Sequence, residues 1–220
     1  VTRDVYPESY KYCDQIAFEE LQGRCRVIVS RPHLHRDLTG TDNGGSRAGG
    51  PGGPPGGPIA DAGVDEFHDA MRRHLICNHI LMQAVVPGMR SVSYGRIINI
   101  ISTSVKQPLK GLGVSNTIRA AVANWAKTLA GEVASSNITV NNVLPGATLT
   151  GRLTSIIDNK ASKTGRSADE VSKQMLSEIP AGRFAEPSEI GNAVAFLASP
   201  LAAYINGINV PVDGGRTGCL

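Results

Sequence analysis

Ser102, Ser115 and Arg119 carry side chains whose types could do chemistry. A serine hydroxyl can donate a hydrogen bond to a substrate oxygen. An arginine supplies a cation that does not titrate at working pH. His74 adds an imidazole, which ordinarily titrates near neutrality and suits proton transfer. Thr148 and Thr150, just after Pro145-Gly146, add two more hydroxyls. Each has a structural alternative. Ser102 could be a polar cap at a strand end, and Ser115 with Asn116 a helix N-cap pair. Arg119 could be a surface arginine of a first helical turn, His74 a packed helical histidine, and a threonine after Pro-Gly a helix cap.

The elements that would position these groups are legible. Arg96–Ile101 is a nearly continuous β-branched run, as in a strand covered on both faces, and it delivers Ser102. Ile138–Leu144 is a second such strand and delivers Pro145-Gly146. Between them Ser115–Ala134 carries Ile118, Val122, Trp125, Leu129 and Val133 on one helical stripe. Val64–Val86 is a further helix, expected to stop at Pro87-Gly88. Thr154–Glu178 reads as a polar, mobile helix pair, Pro187–Ala198 as a helix with proline in its first turn, and Ile205–Val212 as a last strand. Helices alternating with buried strands imply an α/β sheet with right-handed crossovers. Ligands of such sheets sit outside the carboxyl ends of the strands, so Ser102 and Pro145-Gly146 face one crevice. Tyr94 and Tyr204 precede strands and lie at the opposite end.

The chain of 220 residues suits one domain, and 41% hydrophobic residues can build a core. The net charge of +3 is scattered, and ten Phe, Tyr and Trp residues do not interleave with basic runs, which speaks against nucleic-acid binding. No C-x-x-C pair marks a metal or redox site among Cys13, Cys25, Cys77 and Cys219; reduced thiols in a cytoplasmic protein are expected. No apolar run is long enough for a membrane span, and Val1-Thr2-Arg3-Asp4 does not read as a signal peptide. Residues 1–57 are expected to be an irregular segment, with a short helix possible around Glu8–Leu21, a strand-like run at Arg26–Ser30 and a loop from Gly44 to Gly57 that holds eight of the 25 glycines. Residues 58–220 carry the regular pattern. The abrupt change suggests a truncated, rearranged or frame-shifted stretch ahead of an authentic remainder.

Four runs in order resemble the short-chain dehydrogenase/reductase family, in its 3-oxoacyl-carrier-protein reductase-like branch. They are Asn99-Ile100-Ile101-Ser102; Val140 to Gly146 followed by Thr150; Ile179 to Phe184 with Glu186 to Ile190; and Asn209 to Gly215. The resemblance spans about residues 52 to 216 and implies a Rossmann-like doubly wound parallel sheet flanked by helices. It assigns Ser102 to the family's catalytic serine. Ser115 and Arg119 stand where the family has a tyrosine and a lysine, and His74 where it has a helix asparagine. It implies cofactor contacts at Gly52, Asn99, Pro145, Gly146, Thr148 and Thr150 and no metal. The glycine-rich phosphate-binding turn is absent, and the chain before Gly52 is about 35 residues shorter than the resemblance implies.

The resemblance implies an NAD- or NADP-dependent oxidoreductase acting on a small carbonyl or alcohol. Ser102 would hold the substrate oxygen, Arg119 would act electrostatically, and Ser115 with a water or His74 would move the proton. A homodimer or homotetramer is implied. The alternatives are a non-catalytic binding or assembly subunit of the same fold, and a truncated inactive gene product.

Overall fold

The computed structural model describes residues 16–21, 24–30, 54 and 56–219. Among them, strands β1 (Ile16–Leu21), β2 (Arg24–Ser30), β3 (Gly95–Ile100), β4 (Ile138–Pro145) and β5 (Asn209–Val212) form one sheet in chain order. Strands β2 to β5 are parallel, and β1 runs antiparallel to β2. The helix expected to end at Leu21 is corrected here: Ile16–Leu21 is a strand, while residues 8–15 lie outside the described residues. Two residues separate β1 from β2, so pairing between them needs little loop closure. These strands also join the segment before residue 58 to the sheet.

Helices cover both faces. In β3 and β4, Ile97, Ile138 and Val140 point to one face and pack against α2 (Cys77–Ser91) and α3 (Gly113–Val133). Ile98 and Val143 point to the other and pack against α6 (Pro187–Ala198). Strands β3 and β4 are buried along nearly their whole length, as their apolar runs predict. The steps from β3 to β4 and from β4 to β5 go the same way across the sheet, yet α3 and α6 cover opposite faces. The two connections therefore have opposite hands, and one departs from the right-handed rule. The second carries two extra helices, α4 (Gly151–Thr164) and α5 (Ala168–Ser177), which give it the length to change face. That pair is the one expected from the polar segment; it closes on Leu153, Val171 and Met175, with Gly165 in the left-handed conformation ending α4 (φ 68°).

The first long helix does not stop at Pro87-Gly88. It runs as α1 (Val64–Met71), a π-helical turn (Arg72–Ile76) and α2, which continues to Ser91 with Pro87 inside it. The last turn is held by Met89, which is fully buried and lies against Gly95, where a Cβ would come within 2.5 Å of its sulfur. That packing outweighs the lost hydrogen bond at proline.

Polar links also tie the layers together. Asn78 of α2 donates to Asn99 (3.3 Å), Asn99 donates to Asn142 (2.9 Å), and Asn142 donates to Asn209 (2.8 Å), a chain of amides across β3, β4 and β5. At the amino ends Tyr94 donates to the Ala198 carbonyl, and the buried Arg96 guanidinium lies 4.3 Å from the centre of the Tyr94 ring. On α3, Trp125 donates to His79 Nδ1 (3.3 Å), the rings meeting edge to face. Cys77 is buried and disulfide-bonded, whereas Cys219 is free and exposed. The expectation of reduced thiols is thus corrected at Cys77.

Candidate functional site

The backbone N–H of Ile101 donates to the Val143 carbonyl (2.9 Å), so the carboxyl ends of β3 and β4 stay in register where the chain leaves the sheet. Ser102 follows in an extended conformation and opens a 3-10 turn, Thr103–Val105. Its Oγ accepts from the Ser104 N–H (3.1 Å), leaving its own proton to donate outward. Capping and presentation of the hydroxyl are therefore compatible roles.

Ser115 is not the N-cap of α3. The helix begins two residues earlier, and Leu112 holds the cap position. Asn116 instead binds the preceding loop through its amide, donating to the Leu109 carbonyl (2.9 Å). Ser115 Oγ accepts from Arg119 Nε (3.4 Å), and Arg119 Nη1 donates to the Ile101 carbonyl (2.9 Å). Arg119 is thus no surface residue: at 7% exposure it bridges the first turns of α3 to the last residue before Ser102. Burial, and then the charge of Arg152, lower its pKa to about 10. It remains a cation at neutral pH.

His74 lies in the π-helical turn between α1 and α2 and is 2% exposed. Such turns interrupt regular helices frequently at functional sites. Burial comes first, followed by the charges of Arg119, Arg73 and Arg152, in lowering its pKa from 6.5 to about 3. The titration near neutrality expected for this residue is therefore corrected. At neutral pH about one ring in 10⁴ carries the second proton. Four sequence-predicted groups meet at one place: Ser102, Ser115 and Arg119 through bonds to or beside Arg119, and His74 through its charge coupling to the same guanidinium.

The loop after β4 leaves the sheet at the neighbouring strand end. The Gly146 N–H donates to the Val212 carbonyl (2.9 Å), and a Cβ at Gly146 would come within 2.8 Å of Asp213 Cα, so only glycine lets the loop lie against the end of β5. Thr148 Oγ1 donates to the Gly146 carbonyl (3.2 Å) and Thr150 Oγ1 to the Thr148 carbonyl (3.3 Å). Thr150 occupies the N-cap position of α4, but its side chain makes no capping bond. Two further cofactor candidates fare differently. Asn99 is fully buried and spends its amide on Asn78 and Asn142, so it supports the strands from inside the sheet. Gly52 lies outside the described residues.

Sequence reasoning does not single out Arg152. It stands in the first turn of α4, two residues after Thr150, where no acidic residue accompanies it. A cation there opposes the helix dipole. That mismatch is the signal by which it could have been found. A cleft of about 550 Å³ opens beside Leu149, between α5 and the start of α6, but Ser102, Ser115, Arg119 and His74 do not line it. Among the described residues there is no cluster of three or more metal-ligating side chains, and no helix is long and apolar enough to cross a membrane.

A family model described as enoyl-(acyl carrier protein) reductase matches residues 47–217. The 3-oxoacyl-[acyl-carrier-protein] reductase FabG of Vibrio cholerae is 39% identical over 153 residues, which are 69% of this chain and 57% of that protein. The chain thus spans under three fifths of the length of this curated relative. Among solved structures, a variant of the actinorhodin polyketide ketoreductase with NADPH superimposes with a TM-score of 0.75 at 27% identity, covering 90% of this chain and 69% of that one. The L-sorbose reductase of Gluconobacter frateurii, complexed with NADPH and L-sorbose, gives 0.74 at 28% identity with the same coverage.

Proposed function

The chain belongs to the short-chain dehydrogenase/reductase family, and from that premise we propose that it is an NAD(P)(H)-dependent oxidoreductase of the 3-oxoacyl reductase type with a changed proton-transfer group. The observation that carries this reading is the joining of Ser115 and Arg119 to Ile101, directly before Ser102, at the end of β3, next to the strand that ends in the Gly146–Thr150 loop. Ser102 donates to the oxygen of a carbonyl or alcohol. Arg119 puts a fixed positive charge beside it, where negative charge grows on that oxygen during reduction. Ser115 is shorter and far less acidic than a tyrosine, so a water held on its hydroxyl passes the proton. His74, neutral at working pH, relays rather than supplies it.

The residues present suit the nicotinamide end of the cofactor: glycine at position 146 opens the wall, and Thr148 and Thr150 offer hydroxyl and backbone groups beside it. The bound cofactor would supply or accept the hydride. The same reading carries a homodimer or homotetramer and a small-molecule substrate. The cytoplasmic location expected from the sequence belongs to the same reading.

The test is calorimetric titration of the purified chain with NADH and NADPH, then carbonyl-dependent oxidation of whichever binds. Absence of binding to both at millimolar concentration refutes the reading.

A further inference from the structure

We propose that the segment following β5, Asp213–Cys219, is a strap that positions the Ser102 hydroxyl, with Gln107 as the positioning residue that receives it. The inference rests on the oxidoreductase reading, in which Ser102 binds the substrate oxygen. Ser102 is held firmly on one side and lightly on the other. Ahead of it, Ile101 is fixed by its N–H on the Val143 carbonyl (2.9 Å) and by Arg119 on its own carbonyl (2.9 Å). After it comes one short 3-10 turn, a helix type with the poorer hydrogen-bond geometry. Val105 anchors the inner side of that turn, packing with Ile101, Val122 and Leu144. The chain is next caught at Leu109, by Asn116 of α3 (2.9 Å). Between these points stand Lys106 and Gln107, whose N–H groups both turn back to the Thr103 carbonyl (3.0 and 3.1 Å). Among the described residues, the bonds that reach these two from outside the turn come from the segment after β5. The Gly218 N–H donates to Gln107 Oε1 (3.1 Å), and the Cys219 thiol donates to the Lys106 carbonyl (3.5 Å).

The segment is fastened along its length. Gly214 and Gly215 take positive φ (65° and 84°), which turns the chain sharply off β5. The Asp213 carboxylate accepts from the Gly215 N–H (3.0 Å) and the Thr217 N–H (2.8 Å) and so closes the turn. Arg216 pairs with Glu178 at the end of α5. The first residue of the strap also touches the loop after β4, since a Cβ at Gly146 would come within 2.8 Å of Asp213 Cα. One strap thus joins the exit of β5, beside Gly146, to the turn that presents Ser102, with β4 between β3 and β5 in the sheet. The direction of the Ser102 hydroxyl relative to the Gly146–Thr150 loop is then set by the strap as well as by the strands.

The turn carries its own reporter. The Ser104 N–H donates to Ser102 Oγ (3.1 Å), so its exchange with solvent measures how firmly that hydroxyl is held. Amide exchange is followed by NMR in the full chain, in Gln107→Ala, which removes the acceptor, and in Gln107→Glu, which keeps an acceptor oxygen at the same reach. Gln107 is exposed, so neither change opens the core. The same three proteins are assayed for reduction of ethyl acetoacetate by NADPH.

Gln107→Ala is expected to speed exchange at Gly218 and Ser104 by about 2- to 10-fold, the range of one hydrogen bond, and to leave the amides of β3 and β4 at their parent rates. Gln107→Glu is expected to restore the parent rates at both. In the assay, Gln107→Ala is expected to lower kcat by a similar factor and leave KM within a factor of two, because the hydroxyl matters most as charge grows on the substrate oxygen. Unchanged Ser104 exchange in Gln107→Ala overturns the proposal. So does an acceleration that Gln107→Glu shares, one that spreads to the strand amides as a general loss of stability would, or a kinetic loss confined to KM. A parent whose exchange responds as expected but which does not oxidise NADPH sinks the oxidoreductase reading and leaves the strap standing.

Discussion

Replacing His74 with glutamine should flatten the dependence of stability on pH between 7 and 5. The folded His74 has a pKa of about 3, whereas an unfolded histidine titrates at the ordinary 6.5. Between those values the unfolded chain holds one proton more than the folded chain, so acidification favours unfolding. The slope is 1.36 kcal/mol per pH unit for one group. From pH 6.5 to 5.0 that amounts to about 2 kcal/mol lost, and the full shift to about 5 kcal/mol. Stability is whole above pH 6.5 and the contribution is fully lost below about pH 3. The window ends above the range in which Glu189 contributes: its bond from Arg183 lowers the folded pKa, and the stability this gives is lost only as pH falls through the ordinary carboxylate value of 4.5. Urea unfolding at pH 7 and pH 5 measures the loss in parent and His74→Gln. Glutamine keeps hydrogen-bonding capacity and removes the ionisation, so the difference in slope isolates this ring from the other histidines. The same loss in both proteins, or a native His74 resonance titrating near 6.5, refutes the account of its burial among arginines.

Three other outcomes are expected from the geometry. Asn99→Leu breaks the amide chain at its centre, taking the acceptor from Asn78 and the donor from Asn142; each costs about 1–3 kcal/mol in a dry interior, and a loss below 0.5 kcal/mol in urea unfolding would mean the chain carries no weight. Reducing the Cys77 disulfide should lower stability by about 2–4 kcal/mol, read as a drop in melting temperature with dithiothreitol that a Cys77→Ala variant no longer shows. Ser115→Tyr combined with Arg119→Lys should raise carbonyl reduction by about 10²-fold or more over the parent, the worth of a positioned acid; an unchanged rate would place the limit at cofactor binding instead.

The crevice is legible in the sequence because its walls are strands buried on both faces, and such strands announce themselves as short runs rich in β-branched residues. Ser102 and Gly146 stand at their ends, and the structure keeps them side by side through Ile101 and Val143. What Arg119 does is not legible. Four residues after Ser115 it reads as helix surface, and only the packing of α3 against the end of β3 turns it inward to Ile101. His74 misleads for a related reason: its ordinary titration is a property of a solvated ring, and neither its burial nor its arginine neighbours are local in sequence. Pro87 reads as a stop because proline breaks helices, but Met89 packs against Gly95 and holds one more turn. Strand β1 escapes sequence reasoning because an edge pairing depends on the neighbour more than on its own pattern.

The placement of Trp125 gives the molecule an optical readout of its own. It is the chain's one tryptophan, and it lies on α3 six residues beyond Arg119, about 9 Å along the helix axis. Indole emits where reduced nicotinamide absorbs, so a dinucleotide seated near Arg119 would drain the tryptophan's excited state by energy transfer. The ring's edge contact with His79 sets the intensity from which that loss is counted. Occupancy of the crevice therefore writes onto a single emission band, as transfer from the indole to the ligand.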